Sequence, residues 1–386
     1  MLINPTKMMT SIVGVLLYSQ FVIGAIFENF SGLSIITFFA AAISIILIVY
    51  DRSINSNFVY IVLVANFIFF SSLLLSRFSA YSIDKFIFLV LKFSSMLVIG
   101  YAISGRSKLF FDSAVIPLYI FLIICFFSLS DSTMGVNNRL EVGLYNPIWI
   151  SRHLLELFLI CMFFLEKNKY FLIPIFSLCL IVTYYAGSKG GLAALAVTYI
   201  YFNLTNDKYK YRFLKVLLII FATVIILVYL YRSFDNSSYM IQRFLSVVPE
   251  GSSESIVNES RLVVWPRSIS LLSDLDISEY LFGFGIGGFS EFYYGVDQGV
   301  KFYPHNIVIE LVVEFGFIGA SLFLWLLFFY VYKCRNIKES LMVVYFFTAA
   351  QFSGDLPLNE FLFLYLGILI GKYSCEKKKA PVVRYI

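Results

Sequence analysis

The residues with the clearest potential for chemistry lie in the stretch Tyr303-Pro304-His305-Asn306, just before a long apolar run. The whole chain has only 2 histidines. A neutral imidazole at a membrane–water boundary is able to take a proton from a hydroxyl group. Because proline suits the first position of a helix, the sequence predicts that His305 lies in the first turn of the apolar helix. The alternative is a structural role, in which a histidine at the helix start has its hydrogen bonds satisfied by the preceding loop.

The apolar run after His305 carries polar residues at helical spacing. Asn306, Glu310 and Glu314 recur every four residues and therefore share one helix face. Carboxylates inside an apolar span are costly and usually mark a pathway or a site. Gly316 and Gly319 follow three residues apart, a spacing that lets another helix pack closely. The alternative for these two glycines is a packing patch without any catalytic role.

Two arginines, Arg261 and Arg267, lie within an acid-rich segment, with Trp265 between them. The planar, permanently charged guanidinium suits phosphate oxygens. A loop arginine at a membrane surface is therefore a candidate holder of a lipid-linked diphosphate. The alternative is a salt bridge within the loop, to Glu259 or Asp274.

Further candidates lie earlier in the chain. Arg139 occupies a shorter polar segment, and Arg152, His153 and Glu156 lie at the start of an apolar stretch. Arg152 and Glu156 are four residues apart and are predicted to pair at the rim of a span. The pair would either belong to a functional site or be a structural ion pair that fixes helix packing.

Lys189 lies in the turn Ser188-Lys189-Gly190-Gly191, where the glycines permit a tight reversal. The lysine offers a further cation near the same surface. The alternative is a plain hairpin turn with an interfacial lysine.

The amino-acid composition indicates the class of protein to which these residues belong. Of 386 residues, 60% are hydrophobic and 14% are charged, and the mean hydropathy is +0.85. Soluble domains contain about 45–50% apolar and about 25% charged residues. We therefore predict an all-α polytopic membrane protein that forms one integral membrane domain over residues 1–386, and exclude a soluble enzyme. With 5 cysteines and no Cys-x-x-Cys or Cys/His cluster, neither a disulfide framework nor a metal site is predicted.

The hydropathy pattern predicts about twelve transmembrane helices, each near the ~20 residues that a span requires. They lie near 9–27, 31–50, 57–76, 84–104, 109–130, 148–165, 170–187, 190–204, 213–231, 305–332, 339–353 and 357–373. Lysine and arginine concentrate in alternate connections, which places both termini in the cytoplasm. Arg77 and Lys85 are exceptions on the outer side. No basic run indicates nucleic-acid binding.

Two outer connections are longer than simple turns. A short extracytoplasmic loop spans 131–147, and a large one spans 232–304 between the ninth and tenth helices. The stretch 283–288 satisfies G-x-G-x-x-G. We interpret it as a backbone turn that returns the large loop to the membrane, because a dinucleotide site needs a strand before it and a helix after it.

Taken together, in order and on one face, four pieces resemble the O-antigen polymerase (Wzy-like) and O-antigen ligase superfamily of bacterial inner membranes. They are the Ser-Lys-Gly-Gly turn, the Arg-x3-Trp opening of the large loop, the return Leu-Phe-Gly-Phe-Gly-Ile-Gly-Gly, and His-Asn-x9-Gly-x-x-Gly. They cover roughly residues 187–319. A lysine stands at position 189 where the family more commonly has arginine.

The resemblance implies a GT-C-like, metal-independent glycosyltransferase without a cofactor, acting at the periplasmic face of the inner membrane. The substrate would be an oligosaccharide on undecaprenyl diphosphate. Arg261 would hold the donor diphosphate, and His305 would activate or position the acceptor hydroxyl. Further residues implied in phosphate or sugar binding are Arg139, Arg152, Lys189, Arg243, Arg267 and Asn306.

Three functions remain open at the level of sequence. A polymerase would join lipid-linked repeat units, and it is preferred because the Phe-, Ile- and Tyr-rich amino-terminal half resembles the variable polymerases. A ligase would transfer the chain to lipid A-core. A lipid-linked oligosaccharide flippase is the alternative of another class, although its polar residues would be expected near the bilayer midplane. Expected partners are the lipid-linked oligosaccharide, the bilayer and a chain-length regulator protein.

Overall fold

The computed structural model describes residues 4–27, 33–51, 54–76, 78–129, 140–165, 169–205, 261–295, 302–352 and 354–379. Within these ranges the chain forms helices, turns and an isolated bridge between Val142 and Tyr145, with no strand. Arg139, Arg243, the predicted span 213–231 and large parts of both predicted outer loops lie outside the described residues.

The helices follow the apolar stretches closely. In chain order they are α1 (Pro5–Ile26), α2 (Leu33–Asp51), α3 (Ser56–Leu75), α4 (Ala80–Ile103), α5 (Ser107–Phe127), α6 (Pro147–Phe163), α7 (Lys169–Ala186), α8 (Lys189–Thr205), α9 (Arg261–Leu272), α10 (Ile277–Phe282), α11 (Phe289–Tyr294), α12 (Ile307–Lys333), α13 (Glu339–Ala350) and α14 (Glu360–Lys379). Two 3₁₀ turns precede α5 and α14, at Ser104–Arg106 and Leu356–Asn359.

Asn-Pro dipeptides set the start of two of these helices. Asn146 accepts hydrogen bonds from the backbone N–H groups of Ile148 and Trp149 at 3.0 and 3.1 Å, and Pro147 is the first helical residue. Asn4 and Pro5 begin α1 in the same way. Asparagine satisfies N–H groups that have no partner within the helix, and proline lacks the N–H that would need one.

Four helical segments of the described chain are long and apolar enough to cross a membrane. They are Pro5–Ile26, Ser56–Leu75, Ala80–Phe127 and Ile307–Lys333, the third of which contains both α4 and α5. Three shorter apolar helices accompany them: Ile35–Asp51, Phe171–Ala186 and Glu339–Ala350. The all-helical prediction is therefore confirmed for the described residues, whereas the count of twelve spans stays a prediction.

The outer surface of these helices is apolar, as expected of a membrane protein. Phe67 on α3 is 70% exposed, and Trp325 on α12 is 62% exposed. In a bilayer the solvent of such a surface is hydrocarbon, so large apolar side chains face outward at no cost.

α14 lies at the centre of the bundle. Its residues from Phe361 to Ile370 are all buried, and it packs most extensively against α4. At Gly367 and Gly100 an added Cβ would overlap backbone atoms of the facing helix, at Leu97 and Leu364 respectively. These two glycines therefore allow the backbones of α4 and α14 to approach closely, as small residues do between membrane helices.

One end of the bundle, which we call the loop face, gathers the end of α1, the end of α7 and the segment before α6. The backbone N–H of Leu144 donates to the carbonyl of Gly24 at 2.8 Å, and that of Leu140 donates to Tyr185 at 3.1 Å. The segment 140–146 of the shorter predicted loop is thus packed onto the helix ends.

The opposite face gathers charged contacts. Arg106 binds Asp51 with two hydrogen bonds of 2.7 and 2.9 Å. Glu339 accepts from both Ser107 and Lys372 at 2.6 Å. The lysine and arginine pattern assigns this face to the cytoplasm, and that orientation stays a prediction.

Candidate active site

The stretch that carries His305 precedes its helix and does not form part of it. α12 begins at Ile307, and Asn306 is its N-cap, with a side-chain oxygen 3.0 and 3.1 Å from the N–H groups of Val308 and Ile309. The predicted placement of His305 in the first turn was therefore wrong. An N-cap residue needs a non-helical backbone, so the helix starts after Asn306.

His305 itself has a left-handed backbone, with φ at 54°. Such a conformation is uncommon for a non-glycine residue and often marks a functional position. The imidazole lies against the ring of Tyr303, with 4.5 Å between the ring centroids. The strained turn thus sets the direction of the imidazole at the loop face.

The loop helix α9 is joined directly to this turn. The indole N–H of Trp265 donates to the carbonyl oxygen of Pro304 at 2.8 Å, next to His305 in the chain. Arg261 is the first residue of α9, one helical turn before Trp265, and its side chain lies outside the described part of the structure. Positions 261 and 265 are four residues apart and therefore lie on the same face of α9.

The end of α13 brings a third motif to the same place. Gln351 accepts a long hydrogen bond, 3.5 Å, from the side chain of Asn306. Its neighbour Phe352 lies 6.3 Å from the Trp265 ring, and a Cβ added at Gly190 would come within 2.8 Å of the Phe352 Cβ. The Ser-Lys-Gly-Gly turn therefore packs against the segment that contacts Asn306.

Lys189 is exposed at the first position of α8, beside that glycine. Arg267 is exposed too, and its guanidinium lies over the Tyr293 ring, 4.5 Å from the ring centroid. Stacking on an aromatic face holds a guanidinium while leaving its edge able to bind an anion. Both cations are thus on elements that border the His305 turn.

The glycine-rich return 281–288 forms the predicted turn. Gly283, Gly285 and Gly287 all have positive φ, at 80°, 83° and 76°. At Gly285 an added Cβ would overlap backbone atoms of Ser76, and the segment therefore threads tightly past the end of α3. The segment before it, Ile277–Phe282, is the helix α10, whereas a dinucleotide-binding motif needs a strand there.

Gly316 produces a kink inside α12 instead of a helix–helix contact. Its backbone is non-helical, with φ 65° and ψ −178°, and an added Cβ would overlap the carbonyl group of Leu281 at the end of α10. The two glycines predicted close packing of another helix, and at Gly316 the close neighbour is the large loop at Leu281. A Cβ added at Gly319 would overlap Phe315 of the same helix at 2.6 Å and would be in ordinary contact with Ile68 of α3 at 3.7 Å.

The kink leaves carbonyl groups of α12 without their usual helical donors, and other segments replace them. The N–H of Phe284 donates to Val313 at 2.8 Å, and the Ser72 hydroxyl donates to Glu314 at 2.8 Å. Buried carbonyl groups need such partners. The return of the large loop is thereby fixed to both α12 and α3.

Below the His305 turn lies a buried ion cluster. The ammonium of Lys85 is 2.6 Å from one carboxylate oxygen of Glu310 and 2.6 Å from one of Glu314. The sequence predicted that both glutamates share a helix face, and this is confirmed. Lys85 was not predicted as their partner, although a lysine inside an apolar segment is itself a signal of buried pairing.

The same cluster holds the segment after α13. The backbone N–H of Leu356 donates to Glu310 at 2.9 Å. Nearby, Arg152 is buried and donates to the side chain of Asn359 at 2.9 Å and to the carbonyl of Ala349 at 3.2 Å. Arg152 therefore fixes the position of the chain on both sides of Phe352.

Glu156, the predicted partner of Arg152, contacts three further groups. Glu156 is 2.6 Å from the Nδ1 atom of His153 and accepts hydroxyl hydrogen bonds from Tyr18 at 2.6 Å and Tyr365 at 2.5 Å. These groups are fully buried. The network joins α1, α6 and α14, and sequence spacing gave no sign of either tyrosine.

The polar end of the loop helix α10 is capped. Asp276 accepts from the N–H of Glu279 at 2.8 Å and from the hydroxyl of Ser278 at 2.8 Å. These donors, the backbone N–H of Glu279 first, hold the pKa of the Asp276 carboxyl below its ordinary value.

Comparison with known proteins covers the part of the chain that contains this site. Residues 174–324 match the family model of the O-antigen ligases, and no curated protein matches the chain. The matched region holds all four motifs and ends within α12. The resemblance to the superfamily of O-antigen ligases and Wzy-like polymerases is thereby confirmed for residues 174–324.

Proposed function

We propose that this membrane protein is a polysaccharide polymerase that joins undecaprenyl-diphosphate-linked repeat units of O-antigen or another surface glycan. The observation that carries the proposal is the meeting of three motif segments at the loop face. Trp265 binds the carbonyl of Pro304 at 2.8 Å, Asn306 binds Gln351 at 3.5 Å, and Gly190 packs on Phe352. Each of these segments brings a cation or an imidazole with it.

The proposed reaction needs no nucleotide, because the donor is already activated. The acceptor hydroxyl oxygen attacks the anomeric carbon of the donor sugar and forms the new glycosidic bond. The bond from that carbon to the diphosphate oxygen breaks, and undecaprenyl diphosphate leaves with the electron pair. The hydroxyl proton passes to the imidazole of His305, which makes this residue the general base.

Charge stabilisation is the second requirement. Negative charge grows on the diphosphate as the bond breaks, and fixed cations lower the energy of that state. Arg261 is the proposed principal holder of the diphosphate. Lys189 and Arg267, both exposed beside the site, are proposed as secondary phosphate or sugar contacts. This scheme requires no metal ion.

The remaining predicted residues take lesser parts in the proposal. Asn306 has its side-chain oxygen engaged as the N-cap of α12, and its amide group is the part proposed to reach a sugar. Arg152 is buried against Asn359 and Ala349, which favours positioning of the α13 end over direct substrate contact. Arg139 and Arg243 lie outside the described residues and are kept as sugar or phosphate contacts.

The proposed location is the inner membrane, with the loop face in the periplasm and both termini in the cytoplasm. Its partners would be the bilayer and the lipid-linked oligosaccharide. The comparisons give no support to a chain-length regulator as partner, nor to the flippase alternative. An O-antigen ligase is the second candidate, favoured by the description of the matching family.

A lipopolysaccharide gel separates the two candidates. The gene is deleted and then complemented with the wild type, Arg261→Ala, His305→Ala and the control Arg335→Ala, an exposed arginine of the opposite face. A polymerase predicts core with a single repeat unit, and a ladder restored only by the wild type and Arg335→Ala. Bare core with polymer still on undecaprenyl diphosphate indicates a ligase. An unchanged ladder would contradict both for this glycan.

A further inference from the structure

The short loop helix α10 exposes apolar side chains on the outside of the molecule. Ile277 is 80% exposed, and Tyr280 and Phe282 are exposed beside it. Phe317 and Ile318 of α12 are exposed next to them, and the Tyr280 ring stacks on Phe317 with centroids 5.6 Å apart and an interplanar angle of 14°. We call these five residues the α10–α12 patch. A contiguous exposed apolar surface of this kind marks contact with a membrane or another molecule.

The patch continues a surface that faces lipid. α12 is long and apolar enough to span a membrane. Below Ile318, the exposed residues Leu322 and Trp325 recur at helical spacing and form its outward stripe. The patch lies at the upper end of this stripe, so the surface of α10 is the next surface that the hydrocarbon would reach.

The depth of the patch can be set from the other end of α12. Lys333 is the last residue of this helix and belongs to the basic cluster of the opposite face. Phe317 lies sixteen residues before it, above a regular stretch that follows the kink at Gly316. At about 1.5 Å per residue this is about 24 Å, whereas the hydrocarbon core is about 30 Å thick. Phe317, and α10 beside it, would thus lie just inside the far boundary.

The polar groups of α10 are arranged to suit that boundary. Its first turn is closed by Asp276 and Glu279, each of which binds the backbone N–H of the other, at 2.8 and 3.3 Å. The exposed Asp274 precedes them. A helix with charge at one edge and large apolar side chains at the other lies in the membrane interface.

We propose that α10 inserts into the bilayer leaflet at the loop face, with Ile277 and Phe282 in its hydrocarbon. The occupant of the α10–α12 patch is therefore lipid. The insertion anchors the large loop at the point where it returns through Gly283 towards His305. The proposal does not depend on the transferase chemistry, so either can fail without the other.

Spin labels on the full-length protein test the insertion. Four native cysteines are buried and Cys375 is exposed, so Cys375→Ser is the background. Labels are placed by Ile277→Cys in α10, Ser273→Cys in the preceding turn as the water-facing control, and Trp325→Cys as the lipid-facing control. The variants are placed in nanodiscs of phosphatidylethanolamine and phosphatidylglycerol. Relaxation by oxygen and by a water-soluble nickel chelate is then measured.

The expected result is an oxygen-to-nickel ratio at position 277 several-fold above that at 273 and approaching that at 325. Equal nickel accessibility at 277 and 273 would overturn the proposal. So would a position 277 that is shielded in native membranes but open to nickel in nanodiscs, because a protein partner would then cover the patch. Monodisperse elution checks folding, and Phe282→Cys supplies a second label in the same patch.

Discussion

The indole N–H of Trp265 donates to the carbonyl oxygen of Pro304 at 2.8 Å. This bond links the first loop helix to the residue before His305, whose φ of 54° sets the direction of the imidazole. The proposed diphosphate holder Arg261 lies one turn earlier on the same helix. The bond therefore joins the helix that begins at Arg261 to the turn that carries His305.

Removing this bond while keeping an aromatic ring should slow the reaction. Trp265→Phe loses the donor, and a hydrogen bond of this kind contributes about 1 kcal/mol, or about fivefold in rate. We expect polymer formation to fall by about that factor or more, with unchanged protein yield. Trp325→Phe, at a residue on the outer surface of α12, is the matched control. Equal rates for the two variants would show that the link between α9 and Pro304 is not needed.

Gly316→Ala should separate the large loop from the kinked helix. The backbone at Gly316 has φ 65° and ψ −178°, a conformation essentially restricted to glycine, and a methyl group there would overlap Leu281. The strain alone costs about 1–3 kcal/mol. Thermal unfolding in detergent should show the loss. Gly105→Ala, at a glycine with open space around its Cβ position, should leave the unfolding temperature unchanged, and a similar drop in both would contradict the account.

Lys85→Ala should be among the most destabilising single changes in the bundle. It leaves the fully buried carboxylates of Glu310 and Glu314 without their shared ammonium, and breaking a buried pair in this way costs about 3–5 kcal/mol. Lys108→Ala, at an exposed lysine, is the control in the same unfolding assay. Adding Glu314→Gln to Lys85→Ala should restore part of the loss. No recovery in the double variant would argue against charge as the cause.

Asn306 allows stability and activity to be measured separately. Asn306→Ala removes the N-cap of α12 and should cost about 1 kcal/mol, whereas Asn306→Asp keeps a capping oxygen. If the amide group also contacts substrate, both variants should lose activity while only the alanine variant loses stability. Full activity of Asn306→Asp would remove Asn306 from the proposed substrate contacts.

The elements of this fold could largely be predicted because each is a local property of the chain. Apolar stretches gave α1 to α8 and α12 to α14 within about six residues, whereas the loop helices α9, α10 and α11 were not predicted. The four-residue spacing of Glu310 and Glu314 gave their shared face. The start of α12 was misplaced because Pro304 suggested a helix start, whereas the side chain of Asn306 caps the helix two residues later.

The partners across the bundle could not be predicted from spacing. Lys85 meets Glu310 from another helix, 225 positions away in the chain, and Tyr365 meets Glu156 across 209. Such contacts depend on which helices become neighbours, and the spacing of residues along the chain does not show that. The kink at Gly316, where a helix–helix contact was predicted, also depends on a distant partner, because Gly316 packs against Leu281.

The most direct test of the central claim is a reconstituted reaction. Purified wild type, Arg261→Ala, His305→Ala and Trp325→Phe are placed in liposomes with the undecaprenyl-diphosphate-linked repeat unit alone, and the products are sized by mass spectrometry. The account predicts lipid-linked oligomers and released undecaprenyl diphosphate with the wild type and Trp325→Phe, and neither product with Arg261→Ala or His305→Ala. Oligomers made equally well by folded His305→Ala protein would contradict the assignment of His305 as base. Repeat units left single by the wild type would contradict polymerase activity itself.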